Sequence, residues 1–278
     1  MKSLFDQISY ASSKMVTKAY STSFSLGILF LDKEIRKPIY NIYGFVRFAD
    51  EIVDSFQGYD KENLLARFKA DTITAIEEKI SLNPILNSFQ EAVHQYNIPW
   101  ELIDCFLHSM EMDLKQTAHD SSSYSEYIYG SAEVVGLMCL KVFVNGDQQN
   151  YDALVPYAKR LGAAFQKVNF LRDVQDDYVA LGRTYFPGVN MANFTKEDKA
   201  KVEEDIAIDF KMALEGILKL PMTSRKGVYL AYFYYLRLFK KIKRMPATKV
   251  LEERVRIPNS QKIVLMFNSL VRHQLNCL

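Results

Sequence analysis

Residues that break helices are scarce in this chain: glycine occurs 11 times and proline 8 times in 278 residues. There is no low-complexity segment, no internal repeat and no Pro/Gly/Ser-rich linker. No stretch shows sustained strand alternation bounded by hairpin turns, so sheet architectures and strings of linked modules are disfavoured. Cysteine is scarcer still. Cys105, Cys139 and Cys277 are far apart and lack metal-ligand spacing, which fits free thiols in a reducing cytoplasm. The four histidines, His94, His108, His119 and His273, show none of the paired spacing of zinc sites. A G-x-S-x-G elbow is missing, and no glycine-rich phosphate loop or dinucleotide fingerprint follows a strand. An embedded NAD(P) domain is therefore not expected. A dominant charge is also missing: 35 basic and 33 acidic residues leave a formal net charge of +2, and no electrostatic case for nucleic acid. The first residues lack the apolar core of a signal peptide, and the apolar stretch 228–239 is too short to span a bilayer. A cytoplasmic, soluble or at most peripherally membrane-associated protein is expected. The basic run Lys240-Lys241-Ile242-Lys243-Arg244 reads first as a solvated helix end and only second as a contact for an anionic membrane. No dedicated amphipathic anchor is apparent.

What is present is helical periodicity. It predicts helices over 4–19, 33–56, 60–80, 84–96, 99–117, 124–144, 150–180, 196–219, 225–244 and 259–274. Asp32, Asn83 and Thr195 suit N-caps, Pro99 suits a first turn, and Gly182 suits a stop. Apolar residues make up 49% of the chain, ample for a core. The expectation is one all-α domain over residues 1–278, a multi-helix bundle around a central cavity.

Two acidic clusters interrupt this apolar pattern. Asp50-Glu51-Ile52-Val53-Asp54 follows Tyr40, Tyr43, Phe45, Val46 and Phe48, and Asp50 and Asp54 share one helical face. Taken alone, such a pair is as often a solvated helix end as a site. The second cluster is more specific. Gln166, Asn169, Asp173 and Asp177 fall on successive turns among Val168, Phe170, Leu171 and Val174, and a merely solvated face rarely sets amides in register with aspartates. Carboxylates on a mostly buried face are costly unless neutralised. If the two ladders face each other, hard divalent cations are the simplest neutraliser. Mg²⁺ suits such a place because it takes one or two carboxylates and completes its shell with water and phosphate oxygens. Arg47 precedes Asp50 by one turn, Arg172 adjoins Asp173, and Arg183 lies in the turn Gly182-Arg183-Thr184-Tyr185-Phe186-Pro187. Each arginine beside an acid is a plain salt bridge or, beside a metal–diphosphate site, a clamp on phosphate oxygens. The chemistry that fits is diphosphate departure, leaving an allylic cation between electron-rich rings. The 18 Phe and 17 Tyr are mostly core, so their number weighs little.

With these motifs the chain resembles the bacterial phytoene/squalene synthase family, the head-to-head prenyl transferases. Five ordered segments carry the likeness: Tyr20-Ser21-Thr22-Ser23-Phe24, Tyr43 through Asp54, Tyr127 through Gly136, Leu161-Gly162 through Asp177, and Gly182 through Pro187. The resemblance implies the all-α isoprenoid synthase fold. It implies Mg²⁺ or Mn²⁺ held by Asp50, Glu51 and Asp54 on one side, and by Asn169, Asp173 and Asp177 on the other. It assigns diphosphate binding to Arg47, Arg172 and Arg183, a substrate flap to Ser21, Ser23 and Phe24, and a place near the diphosphate to Tyr43. Tyr127, Ala132, Val135, Gly136, Gly162 and Gln166 would line the cavity. Three positions depart from the pattern or add to it. Some relatives have histidine where Tyr20 stands. The first motif reads Asp-Glu-x-x-Asp, so Glu51 is the weaker candidate ligand. Asp176 is an extra acid whose helical angle differs from its neighbour's by about 100°. The implied reaction joins two geranylgeranyl diphosphates through a cyclopropylcarbinyl diphosphate to phytoene, without NADPH. A dehydrosqualene- or squalene-type reaction on farnesyl diphosphate comes second. A terpene cyclase of the same fold and a non-catalytic helical scaffold are further rivals.

Overall fold

The structure, a computed structural model, describes residues 2–115, 119–175, 178, 184–252 and 254–255. The described residues fold into helices. They are α1 (Lys2–Tyr20), α2 (Thr22–Leu29), α3 (Lys33–Asp54), α4 (Lys61–Glu78), α5 (Pro84–Tyr96), α6 (Trp100–Lys115), α7 (Ser121–Ile128), α8 (Val134–Phe143), α9 (Gln148–Val174), α10 (Lys196–Lys219), α11 (Met222–Lys243) and α12 (Ala247–Glu252). A π-helical turn, Tyr129–Glu133, joins α7 to α8, and a 3₁₀ turn, Met191–Asn193, precedes α10. The expected helix 259–274, the stop at Gly182, and Asp176, Asp177, Arg183, His273 and Cys277 lie outside the described residues.

Helix starts follow the side chains that satisfy their free amides. Asn83 Oδ1 accepts from the Ile85 amide at 3.0 Å, and Thr195 forms a capping box with Asp198. Asp32 precedes α3 without a side-chain cap bond. Two elements differ from the expectation. Residues 22–29 form a helix because Ser21 Oγ accepts from the Phe24 amide at 3.2 Å; its mixed small and apolar sequence carries little 3.6-residue periodicity. The expected helix 124–144 is broken in its middle by the π turn.

The core is one continuous cluster. Phe45 of α3 stacks on Phe89 of α5 with ring centroids 3.9 Å apart, and packs against Phe68 of α4 and Phe106 of α6. On the other side of α3, helices α2, α8, α9, α10 and α11 leave a space between them instead of filling it.

Candidate active site

That space has two compartments with opposite linings. The first, about 580 Å³, is apolar and reaches from α2 and α3 across α8 to α9, α10 and α11. The second, about 570 Å³, is polar and lies between α3, α6 and α9. Val46, Asp50, Ser131, Gln166, Asn169 and Arg172 line both, together with Arg254. These residues form the junction where a molecule with a charged head and a long apolar tail would lie across the two.

Helix α3 brings the first acids there. It buries Ile42, Phe45, Ala49, Ile52 and Val53, so Asp50 and Asp54 are left on the face toward the polar compartment. Its last turn holds no basic residue, so these carboxylates meet the negative end of the helix dipole. Lys61 offsets part of this by donating to the Val53 carbonyl at 2.7 Å. Burial pushes the Asp50 carboxyl up to about 7; Arg47 opposes the shift, and Asp54 and Asp113 add to it. Glu51 lies elsewhere. It accepts from Arg47 at 2.6 Å and lines neither compartment. Arg47 also lies over the Tyr20 ring, 4.3 Å from its centroid, and its Nε is buried without a hydrogen-bond partner.

Helix α9 supplies the second ladder, with Gln166, Asn169 and Asp173 on successive turns. The Asn169 carbonyl oxygen is buried and has no partner. Asp173 is gripped from two sides. Arg172 donates to it through both Nε, at 2.8 Å, and a terminal nitrogen, while Arg254 Nε stands 2.8 Å from the same carboxylate.

The π turn positions the remaining wall, and two glycines allow it. A Cβ on Gly130 would meet the Cys105 carbonyl of α6 at 2.6 Å, and one on Gly162 of α9 would meet the Ala132 carbonyl at 2.7 Å. The widened turn is thus held between two helix backbones. It leaves Tyr127 facing the polar compartment and Ala132, Val135 and Gly136 lining the apolar one, opposite Gly162. Buried Tyr127 donates to Asp113 Oδ2 at 2.7 Å, and burial with that acid raises its phenol well above the usual range.

Ser21, Phe24 and Tyr43 line the apolar compartment near the junction, whereas Ser23 lines neither. Burial pushes the Tyr43 phenol up to about 12. The Phe24 ring lies 5.3 Å from that of Tyr43, and Phe165 stacks on Tyr235 at 4.0 Å.

The donor set fits a divalent cation that is completed by substrate. Among the described residues, no three acidic, histidine or cysteine side chains already converge on one ligating point. Asp50 and Asp54 on one wall, and Asn169 and Asp173 on the other, are instead hard oxygen donors facing one space. A cation there would give the buried Asn169 oxygen a partner and offset the burial that raises the Asp50 carboxyl. Mg²⁺ commonly takes one or two carboxylates and fills its shell with phosphate and water.

Residues 17–261 match the model of the family described as squalene/phytoene synthase. The chain belongs to this family of prenyl transferases. It is 31% identical to a presqualene diphosphate synthase of Sinorhizobium fredii, over 68% of this chain and 67% of that one. It is 30% identical to a phytoene synthase of Pseudescherichia vulneris, over 68% and 63% respectively. The chain thus spans about two thirds of the length of these relatives. A crystal structure of a dehydrosqualene synthase superposes with a TM-score of 0.83, covering 97% of this chain and 98% of that one at 20% identity. The fold is therefore the isoprenoid synthase fold expected from the motifs. Among the described residues, no helix is long and apolar enough to cross a membrane.

Sequence reasoning missed several residues of the polar compartment, among them Asp113, Lys61 and Arg254. Asp113 sits in Met110-Glu111-Met112-Asp113-Leu114-Lys115, where Glu111 and Lys115 make it read as one charge among several on a helix. Lys61 and Arg254 are isolated cations near helix ends, where nothing in the pattern separates them from solvated ones.

Proposed function

We propose that this chain is a phytoene synthase, a single all-helical domain that joins two geranylgeranyl diphosphates head to head with Mg²⁺ or Mn²⁺ and needs no NADPH. The observation that carries the reading is the junction: acids and arginines in one compartment open directly into an apolar, ring-lined compartment. Asp50, Asp54, Asn169 and Asp173, with Asp177, would hold the cations, which when bound neutralise the diphosphate as it leaves. Arg47, Arg172 and Arg254, with Arg183, grip phosphate oxygens; the spare N–H of Arg47 supports this. Because charge grows on the leaving group as the C–O bond breaks, these guanidiniums act mainly in the transition state. The faces of Phe24, Tyr43, Phe165 and Tyr235 stabilise the allylic cation without attacking it. Tyr43 stays a neutral phenol because its ionisation lies near 12, and Tyr127 keeps its own proton and donates it in a hydrogen bond to Asp113. The apolar lining excludes water that would quench the cation to an alcohol. Ser21, Gln166 and the small walls Ala132, Val135, Gly136 and Gly162 shape the channel for two chains.

The name of the relative from Pseudescherichia vulneris supports the longer substrate, and that of the relative from Sinorhizobium fredii supports the shorter one, farnesyl diphosphate. The test is incubation of the purified protein with Mg²⁺ and either diphosphate, with and without NADPH, and identification of the extracted hydrocarbons by mass spectrometry. Phytoene from the longer substrate without NADPH is the expected result. A thirty-carbon product from the shorter one alone would move the chain to the dehydrosqualene or squalene branch. No head-to-head product from either would overturn the reading.

A further inference from the structure

Helix α1 is built inside out. Against α3 and α5 it buries Ser9, Ser13 and Thr17, one turn apart. Their hydroxyls are satisfied within the packing. Ser13 Oγ lies 2.6 Å from Ser88 Oγ, Asn87 Nδ2 donates to Ser9 Oγ at 3.1 Å, and Thr17 donates to the Ser13 carbonyl at 2.8 Å. The opposite face carries Leu4, Ile8 and Met15, which are 60%, 51% and 67% exposed, with exposed Ala11 between them. Steps of four, three and four residues keep this set on one stripe along the helix. Single exposed apolar residues are ordinary on a surface, but a stripe of them along a helix marks an interaction site.

The charges beside the stripe select its partner. Lys14 and Lys18 flank the stripe, whereas Lys2 and the helix's single acid, Asp6, lie on the side of Ser9 and Ser13. Asp6 is already taken, by Lys2 and by Asn87 Nδ2 at 3.1 Å. A second copy of α1, packed antiparallel, would set lysines against lysines with no free carboxylate to receive them. An anionic lipid surface receives both the stripe and the lysines. We propose that the outer face of α1 docks on an anionic bilayer, lying in the plane of its headgroups. Tyr20, the last residue of α1, is half exposed and lines the apolar compartment, so that compartment reaches the surface at the C-terminal end of α1. Tyr20 follows Met15 by five residues, roughly 7–8 Å along the axis and about 140° around it, on the side of α1 where Arg47 of α3 lies over its ring. Phe24 of the next helix lines the same compartment. Docking of α1 does not depend on the proposed function.

The test is co-sedimentation of the full chain with vesicles of phosphatidylglycerol and phosphatidylcholine, compared with phosphatidylcholine alone. Binding to the anionic vesicles that weakens with added salt is expected. The variant Leu4→Gln/Ile8→Gln/Met15→Gln should lower that binding at least about tenfold, with melting temperature and detergent-assisted turnover unchanged. Lys14→Gln/Lys18→Gln should remove the salt-sensitive part. Absence of wild-type binding would overturn the proposal, as would a triple variant that binds equally well. A wild-type dimer in light scattering that the triple variant dissolves would also overturn it, and would give the stripe to a second copy. Because sedimentation needs no turnover, an inactive protein that still binds vesicles would sink the proposed function alone.

Discussion

Helices α1 and α3 pack against each other, yet they are built on opposite plans. Helix α3 turns Ile42, Phe45 and Ala49 inward and carries Asp50 and Asp54 to the cavity at its end. Helix α1 turns hydroxyls inward and shows leucine, isoleucine and methionine to the outside. Both have the 3.6-residue pattern of an amphipathic helix, so periodicity reveals a face in each but not its direction. Direction is set by the partner. Gly44 of α3 would place a Cβ 2.6 Å from Ser13 Oγ, so that contact has room only for a small side chain, and small side chains there are polar ones with satisfied bonds. Where α3 meets α5, the stacked rings of Phe45 and Phe89 fill a wider gap.

The largest expected effect separates function from fold on α3. Asp50→Asn should lower kcat/KM by about 10³ or more, since it removes a carboxylate from the proposed cation and diphosphate site. It should also stabilise the protein in EDTA at alkaline pH. The folded-state value of about 7 lies above the ordinary carboxylate value. Ionisation is therefore disfavoured in the fold, and the wild type loses stability as pH rises from about 4 through about 7. The side chain is 31% exposed, so solvent screening reduces the gain on substitution to about 1–3 kcal/mol at pH 8, vanishing at pH 4. Thermal melts of both proteins across that range check this. A uniform offset at all pH values would remove the ionisation of Asp50 as its cause.

Phe45→Ala should come next. It empties a site among Phe68, Phe89 and Phe106 and should cost about 3–5 kcal/mol. Urea unfolding is the measurement, and a loss below 1 kcal/mol would show that the neighbouring rings collapse into the space.

The placement of Asp50 is legible in the spacing of the chain, and the reason shows why other placements are not. Asp50, Asp54, Asn169 and Asp173 repeat at helical spacing inside apolar runs, so spacing alone sets them on two faces, and the long helices from α3 to α6 follow the same periodicity. Helix α2 is short and starts from a serine cap, and the break after Ile128 is tolerated only because Gly130 and Gly162 lie against neighbouring backbones. The break therefore depends on contacts far away in the chain, and α2 on a cap rather than a period. Arg254 reaches Asp173 from about 80 residues away, and no local pattern announces such a pairing. The outward face of α1 is hidden for a related reason: an apolar stripe reads as core until its neighbours are known.

Ser13→Ala tests the inward face of α1 with a smaller effect. Ser88 keeps a hydrogen bond to the Ile85 carbonyl at 3.0 Å, so the change leaves it partnered, and the cost should be about 1 kcal/mol. Ser13→Leu should cost far more, because its side chain would run into the α3 backbone at Gly44. Equal costs for the two in urea unfolding would mean that α1 shifts freely over α3.

The smallest effect is the sharpest contrast. Ile8→Gln replaces an isoleucine, a residue costly to lose from a core, with a polar amide. On the outward stripe it should change stability by no more than about 0.5 kcal/mol, because the side chain is already in water. Ile42→Gln, on the fully buried face of α3, should cost several times as much, by stranding an amide without a partner. Urea unfolding of the two variants side by side measures the direction of each helix directly. A loss of about 2 kcal/mol or more at Ile8 would mean that another part of the chain covers the stripe in solution, and would leave α1 no face to offer a membrane.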